Sequence, residues 1–156
     1  MARNLSGKWF EQFVVGEVVE HAVTRTVTET DNVLFTCLTM NPQPMHLDAE
    51  FSARHEFGRP LINSLFTLGL VVGISVPETT LGTTIANLGF DLVEFPKPLF
   101  AGDTVWVETE TTATRASASR PEAGIVSFEH RAYKQDDELV CRCRRAAFMR
   151  RRPPGS

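Results

Sequence analysis

Cysteine is scarce in this chain: Cys37, Cys141 and Cys143 are the only three in 156 residues. An odd count, with no zinc-ligand spacing and no signal peptide, argues against a disulfide framework and for a reducing, cytoplasmic setting. The four histidines, His21, His46, His55 and His130, also lack metal-ligand spacing, so no metal is expected. Long apolar runs are missing too. The best candidate, Leu61 to Val76, is broken by Asn63, Ser64, Thr67 and Ser75 and stops at Pro77, which is too short and too polar to span a membrane. There is no basic stripe either. Net charge is −3 and the arginines lie scattered among acidic residues until the C-terminus. That leaves out an electrostatic footprint for nucleic acid. Small or acidic partners remain open.

What is present suffices for one core. Hydrophobic residues make up 42% of a chain that is too short for two ordinary domains. We expect one domain over residues 1–150 and a disordered tail over 151–156, where arginine and proline dominate. Trp9, Phe10 and Phe13, just before the turn-prone Gly16, should tuck a leading segment against the core. Glu17 to Thr28 is rich in β-branched residues and reads as a strand. Thr28 or Thr30 can cap a helix running to Thr39, whose Val33, Leu34, Cys37 and Leu38 recur at helical spacing and should face inward. Asp48 is placed to cap a short helix that ends at Phe57-Gly58-Arg59-Pro60. Leu61 to Val76 reads as a long helix buried on all sides, with Gly69 and Gly73 allowing close approach. Four strands follow, at Thr83 to Glu94, Thr104 to Ala116, Ile125 to Lys134 and Glu138 to Arg150, the last two as an antiparallel hairpin. Helices ahead of an antiparallel sheet make an α+β fold.

Between the first two helical stretches lies Thr39-Met40-Asn41-Pro42-Gln43-Pro44-Met45-His46-Leu47-Asp48. Its two prolines fix the backbone and make it a rigid, non-helical segment. Asn41, Gln43 and His46 can donate and accept hydrogen bonds beside the apolar Met40 and Met45. Two readings stand on residue types alone: a small binding pocket, or a structural loop whose Asn and Gln satisfy their own backbone.

The stretch Thr39-Met40-Asn41-Pro42-Gln43-Pro44-Met45-His46 resembles the MaoC-like branch of the hot-dog family, which includes (R)-specific enoyl-CoA hydratases. Phe10-x-x-Phe13-x-x-Gly16, Phe57-Gly58-Arg59-Pro60 and Phe95-Pro96-Lys97-Pro98 before Gly102-Asp103-Thr104 match in order and spacing, over nearly the whole chain. The resemblance implies a single hot-dog domain, a long central helix wrapped by a curved antiparallel sheet. It implies a homodimer, or an oligomer built from dimers, that completes its pocket across the interface. It also implies an acyl-CoA thioester substrate, with CoA entering as part of the substrate and no other cofactor. The Leu-Thr-Met-Asn-x-Gln-Pro-hydrophobic-His variant looks like hydratases of branched dicarboxylic esters, of the mesaconyl-, itaconyl- or methylglutaconyl-CoA type.

Departures fall in the same loop. The family's catalytic Asp falls on Asn41, its Asn on Gln43 and its Gly on Met40, while Asn63-Ser64 replaces His-Gly before the long helix. An amide cannot take a proton from water as a carboxylate can. The expected catalytic pair is therefore His46 as acid and base, because an unperturbed imidazole titrates near neutrality, and Asn41 orienting water. Backbone N–H groups near Ser64 would meet the enolate oxygen. Gln43 and Asn63 would bind a second substrate carboxylate, and Arg59 and Lys97 the CoA phosphates. His21, His55 and His130 are expected as surface or packing residues. Two rival functions are an acyl-CoA thioesterase, which would release CoA thiol, and a non-catalytic acyl-CoA-binding domain.

Overall fold

The computed structural model describes residues 7–154. In chain order it has β1 (Val18–Glu20), β2 (Arg25–Thr26), α1 (Glu29–Leu38), α2 (Pro44–Leu47), α3 (Ala49–Ala53), α4 (Ser64–Thr79), β3 (Thr84–Glu94), β4 (Thr104–Ala116), β5 (Ala123–Tyr133) and β6 (Leu139–Arg150). The strands form one six-stranded antiparallel sheet in the order β1-β4-β5-β6-β3, with β2 also pairing β4. Among the described residues no helix is long and apolar enough to cross a membrane.

Alternation gives the sheet an inside. On β4, Val105, Val107, Thr109 and Thr111 are buried while the residues between them are partly solvated. Phe128, His130 and Ala132 of β5 and Cys141, Cys143, Arg145 and Ala147 of β6 extend that buried face. Into it α4 places Val71 and Ile74, each such side chain contributing roughly 1.5–3 kcal/mol by leaving water. The leading segment tucks in as expected, with Phe13 edge-on to Phe128 at 5.4 Å. Phe10 beside it packs over Gly124, where a Cβ would run into the Phe10 ring. Because α4 packs chiefly over β4, β5 and β6, the edge strand β3 is left open. Its Leu88, Phe90 and Val93 are exposed.

Several expectations need correction. Glu17 to Thr28 is not one strand: β1 and β2 are short pieces parted where His21 turns inward to Glu78 and Thr109. The long helix begins after Asn63, because Leu61 and Ile62 stay extended and donate to Met45 O and Leu99 O at 3.0 Å each. It continues past Pro77 to Thr79, although a proline there has no N–H to give the carbonyl four residues back. Nor is it buried all round. Leu65 is exposed, and Gly69 and Gly73, four and eight positions on, face open space. The central loop is not wholly non-helical, since Pro44 in the first turn presets φ for the short helix α2. The expected tail over 151–156 is partly held: Arg151 donates to Glu122 O, and both Arg151 and Arg152 bond Glu11. Residues 1–6 and 155–156 of the expected domain and tail lie outside the described residues.

The largest reversal is in α1. Thr28 caps it with Asp31 in a reciprocal capping box, yet Val33, Leu34, Cys37 and Leu38 point outward while Asn32 and Thr36 are buried. The cause lies beneath the helix. Its inner face meets backbone carbonyls and an amide of residues 46–63 that need hydrogen-bonding partners, which apolar side chains cannot supply.

Candidate active site

Asn32 joins the pieces of the site. Its Nδ2 donates to His46 O at 3.0 Å and Leu61 O at 3.1 Å, and its Oδ1 accepts from Asn63 N at 2.8 Å. Two carbonyls on one side and an N–H on the other fix which amide end is which. One 2% exposed side chain thus sets the His46 turn, the strand-like segment at Leu61 and the start of α4 relative to one another.

His46 is 9% exposed, and its Nδ1 lies 2.7 Å from Leu61 O. A carbonyl only accepts, so Nδ1 carries the proton and Nε2 keeps a lone pair. Among the described residues nothing donates to Nε2. In its neutral form the ring therefore keeps Nε2 as the free basic nitrogen, the arrangement a general base requires.

The end of α1 positions Asn41. Thr39 ends the helix, Met40 N donates to Cys37 O at 3.0 Å and Asn41 N to Thr36 O at 3.1 Å. These are the paired bonds of a Schellman motif, whose central residue adopts the left-handed conformation. Met40 has φ 55°, a left-handed conformation that a glycine adopts without strain. Beyond it, Asn41 Oδ1 accepts from Gln43 N at 3.1 Å, leaving the Asn41 NH₂ for other partners. No hydrogen bond joins Asn41 to His46 among the described residues.

The remaining expected residues separate into distinct places. Asn63 is occupied structurally: Oδ1 caps α4 at Leu65 N (3.0 Å), and Nδ2 donates to Thr36 Oγ1 (3.3 Å). Ser64 opens α4, exposed, and its N–H has no protein partner among the described residues. Ser64 lines a hollow of about 270 Å³ with Leu61, Thr67, Phe95, Lys97 and Phe57. Across Phe57 a second hollow of about 250 Å³ holds Gln43, Met45, Ser52 and Arg59. The Arg59 guanidinium stacks 3.9 Å from the centre of the Phe100 ring. Neither Arg59 nor Lys97 has a carboxylate partner among the described residues. His46 and Asn41 line neither hollow, so the chain alone does not enclose them with the other site residues. Among the described residues no three His, Cys, Asp or Glu side chains gather as metal ligands would.

Asn32 and Thr36, which hold the segments of the candidate site together, are the residues that sequence reasoning missed. Their signal was present only in hindsight, as two polar residues four apart on a helix whose apolar residues were read as the inner face. His21 and His130, expected at the surface or in packing, instead belong to a buried polar chain.

Residues 11–133 match the family model described as a MaoC like domain. The chain is 30% identical to the beta-methylmalyl-CoA dehydratase of Chloroflexus aurantiacus over 99% of its own length and 44% of that protein. It is 29% identical to the mesaconyl-CoA hydratase of Cereibacter sphaeroides, over 94% of this chain and 42% of that one. It thus spans a little under half the length of these curated relatives. A Mycobacterium tuberculosis protein with a double hot-dog fold superposes with a TM-score of 0.87 at 22% identity, over 99% of this chain and 47% of that one. The α+β hot-dog architecture follows.

Proposed function

Because the chain belongs to the MaoC-like dehydratase family, we propose that it reversibly hydrates an α,β-unsaturated acyl-CoA thioester, and that the acyl group is a branched dicarboxylic one. The observation that carries this is the tautomer of His46, whose Nδ1–H is committed to Leu61 O while Nε2 is free to take a proton. Nε2 removes a proton from water as the oxygen bonds to the β-carbon. The electron pair of the double bond moves onto the thioester oxygen, which Ser64 N–H meets at the positive end of α4. The enolate then collapses, and the imidazolium returns its proton to the α-carbon. Asn41 orients the water through its NH₂.

The second carboxylate is assigned to Gln43 and Arg59, which share one hollow, and no longer to Asn63, whose amide is committed elsewhere. Lys97 remains for a CoA phosphate. A second copy of the chain completes the site. The open β3 edge, the bare Leu65–Gly69–Gly73 stripe and relatives twice this length support that reading. A monomeric mass at micromolar concentration would contradict it. The reaction itself is tested by the mass of the product from a dicarboxylic enoyl-CoA ester. A hydrated ester fits hydration, and free acid with CoA thiol points instead to a thioesterase.

A further inference from the structure

At the opposite end of α4 from Ser64, a line of buried polar side chains crosses the inner face of the sheet. Glu78 Oε2 lies 2.9 Å from His21 Nδ1, and His21 Nε2 lies 2.7 Å from Thr109 Oγ1. Thr109 Oγ1 lies 2.7 Å from His130 Nδ1, and Arg145 Nε lies 2.9 Å from His130 Nε2. His21, Thr109, His130 and Arg145 are 3%, 2%, 0% and 5% exposed, which leaves little access for competing water.

With both imidazole rings neutral, the Arg145 end sets the direction of every bond. An arginine Nε–H only donates, so His130 Nε2 accepts, and a neutral His130 must carry its proton on Nδ1. That N–H donates to Thr109 Oγ1, whose own proton then goes to His21 Nε2. His21 in turn donates from Nδ1 to the Glu78 carboxylate. We propose that these groups form one directional hydrogen-bond chain from Arg145 to Glu78, a latch that fastens the C-terminal end of α4 to β4, β5 and β6 and opens when His130 takes a second proton.

The geometry makes the two states exclusive. An imidazolium at His130 would aim an N–H at the N–H of Arg145, cation against cation. The groups facing His130 are Arg145 and the Cys143 thiol from β6, Thr109 from β4 and, beyond Thr109, His21. From α4 the facing charge is Glu78, reached only through His21. On its own strand the neighbour is the Phe128 ring, with centroids 5.7 Å apart. No carboxylate among these touches His130, and Arg145 Nη2 is itself buried with no hydrogen-bond partner among the described residues. Burial first, then Arg145 and His21, hold the His130 imidazole well below its ordinary range. The latch therefore stays shut at neutral pH and opens only in acid stronger than an exposed histidine needs to charge. Opening frees Glu78, which also accepts from Ala22 N at the break between β1 and β2.

The test is imidazole ¹⁵N NMR on the full chain at pH 7.5. Both His21 and His130 are expected as neutral Nδ1–H tautomers with an accepting Nε2. An Nε2–H tautomer or an imidazolium at either ring would overturn the assigned direction. This arm needs no variant. In a second arm, Glu78→Gln is expected to shift the His130 Nδ1–H resonance, although Glu78 does not touch that ring, and Thr109→Val is expected to abolish the shift. No shift, or one that survives Thr109→Val, would break the single chain into separate pairs. On acidification, exchange protection at Ala22 N–H should be lost together with protonation of His130. Protection that outlasts His130 protonation would show that there is no latch.

Discussion

Replacing Asn32 should cost more than any other single change near the site. Asn32→Ala removes three hydrogen bonds from a residue 2% exposed, each worth about 1 kcal/mol net. The remaining partners differ. Leu61 O keeps the His46 N–H, but Asn63 N–H and His46 O lose the only partners found for them, and an orphaned buried group costs about 1–3 kcal/mol. With one bond lost at about 1 kcal/mol and two groups orphaned, the sum is roughly 3–7 kcal/mol, a large share of the ~5–15 kcal/mol that stabilises a domain. Asn32→Asp separates polarity from shape. It keeps the acceptor for Asn63 but turns an oxygen toward two carbonyls, so it should be at least as damaging at pH 7. The buried carboxyl would have a raised folded-state pKa, so part of the lost stability should return as pH falls and the carboxyl is protonated. Urea melts measure this as a shifted midpoint at unchanged slope. A loss under about 1 kcal/mol for Asn32→Ala, or an Asp tolerated at pH 7, would refute the assignment of these three bonds as the joint of the site.

Other outcomes follow from single features. Met40→Gly relieves roughly 1–2 kcal/mol of left-handed strain against about 0.4–1 kcal/mol of added unfolded-state entropy. With Met40 88% exposed, Tm should rise by about 1–3 °C, and a fall would contradict the strain argument. His130 is held neutral by burial, Arg145 and His21, so the unfolded state binds more protons in mild acid. The stability His130 contributes is complete above about pH 6.5 and is lost as pH falls below it, at up to about 1.4 kcal/mol per pH unit. Urea melts at pH 7.5 and 5.5 should show that loss in the parent and much less of it in His130→Gln. Gly124→Ala drives a Cβ into the Phe10 ring and should lower Tm. An unchanged Tm would mean that the ring moves aside freely.

The long strands were legible because the inner face of β4, Val105-Val107-Thr109-Thr111, alternates at the period of a half-buried sheet, and β4 spans Thr104–Ala116 as read. The Thr28 cap and the Asp48 cap were legible too, since each rests on a local side-chain oxygen. The face of α1 was not. Periodicity identifies an apolar stripe but cannot tell whether it meets this chain's core or is left for another surface, and here carbonyls at His46 and Leu61 decided the matter. The break at His21 was hidden for a similar reason: its partners Glu78 and Thr109 lie 57 and 88 residues away. Within the loop, residue types alone leave a binding pocket and a structural turn both open, and only the family resemblance singles out His46 and Asn41 as candidates. The commitment of Asn63 to capping depended on which groups the fold placed within reach of its amide.

The most direct measurement is the loss of enoyl absorbance with crotonyl-, mesaconyl-, itaconyl- and methylglutaconyl-CoA, using the parent chain and His46→Ala side by side. Hydration of a dicarboxylic ester by the parent, abolished in a folded His46→Ala, is the predicted result. Unchanged absorbance with all four esters while the parent binds them, or hydration that survives His46→Ala, would contradict the assignment of His46 Nε2 as the base.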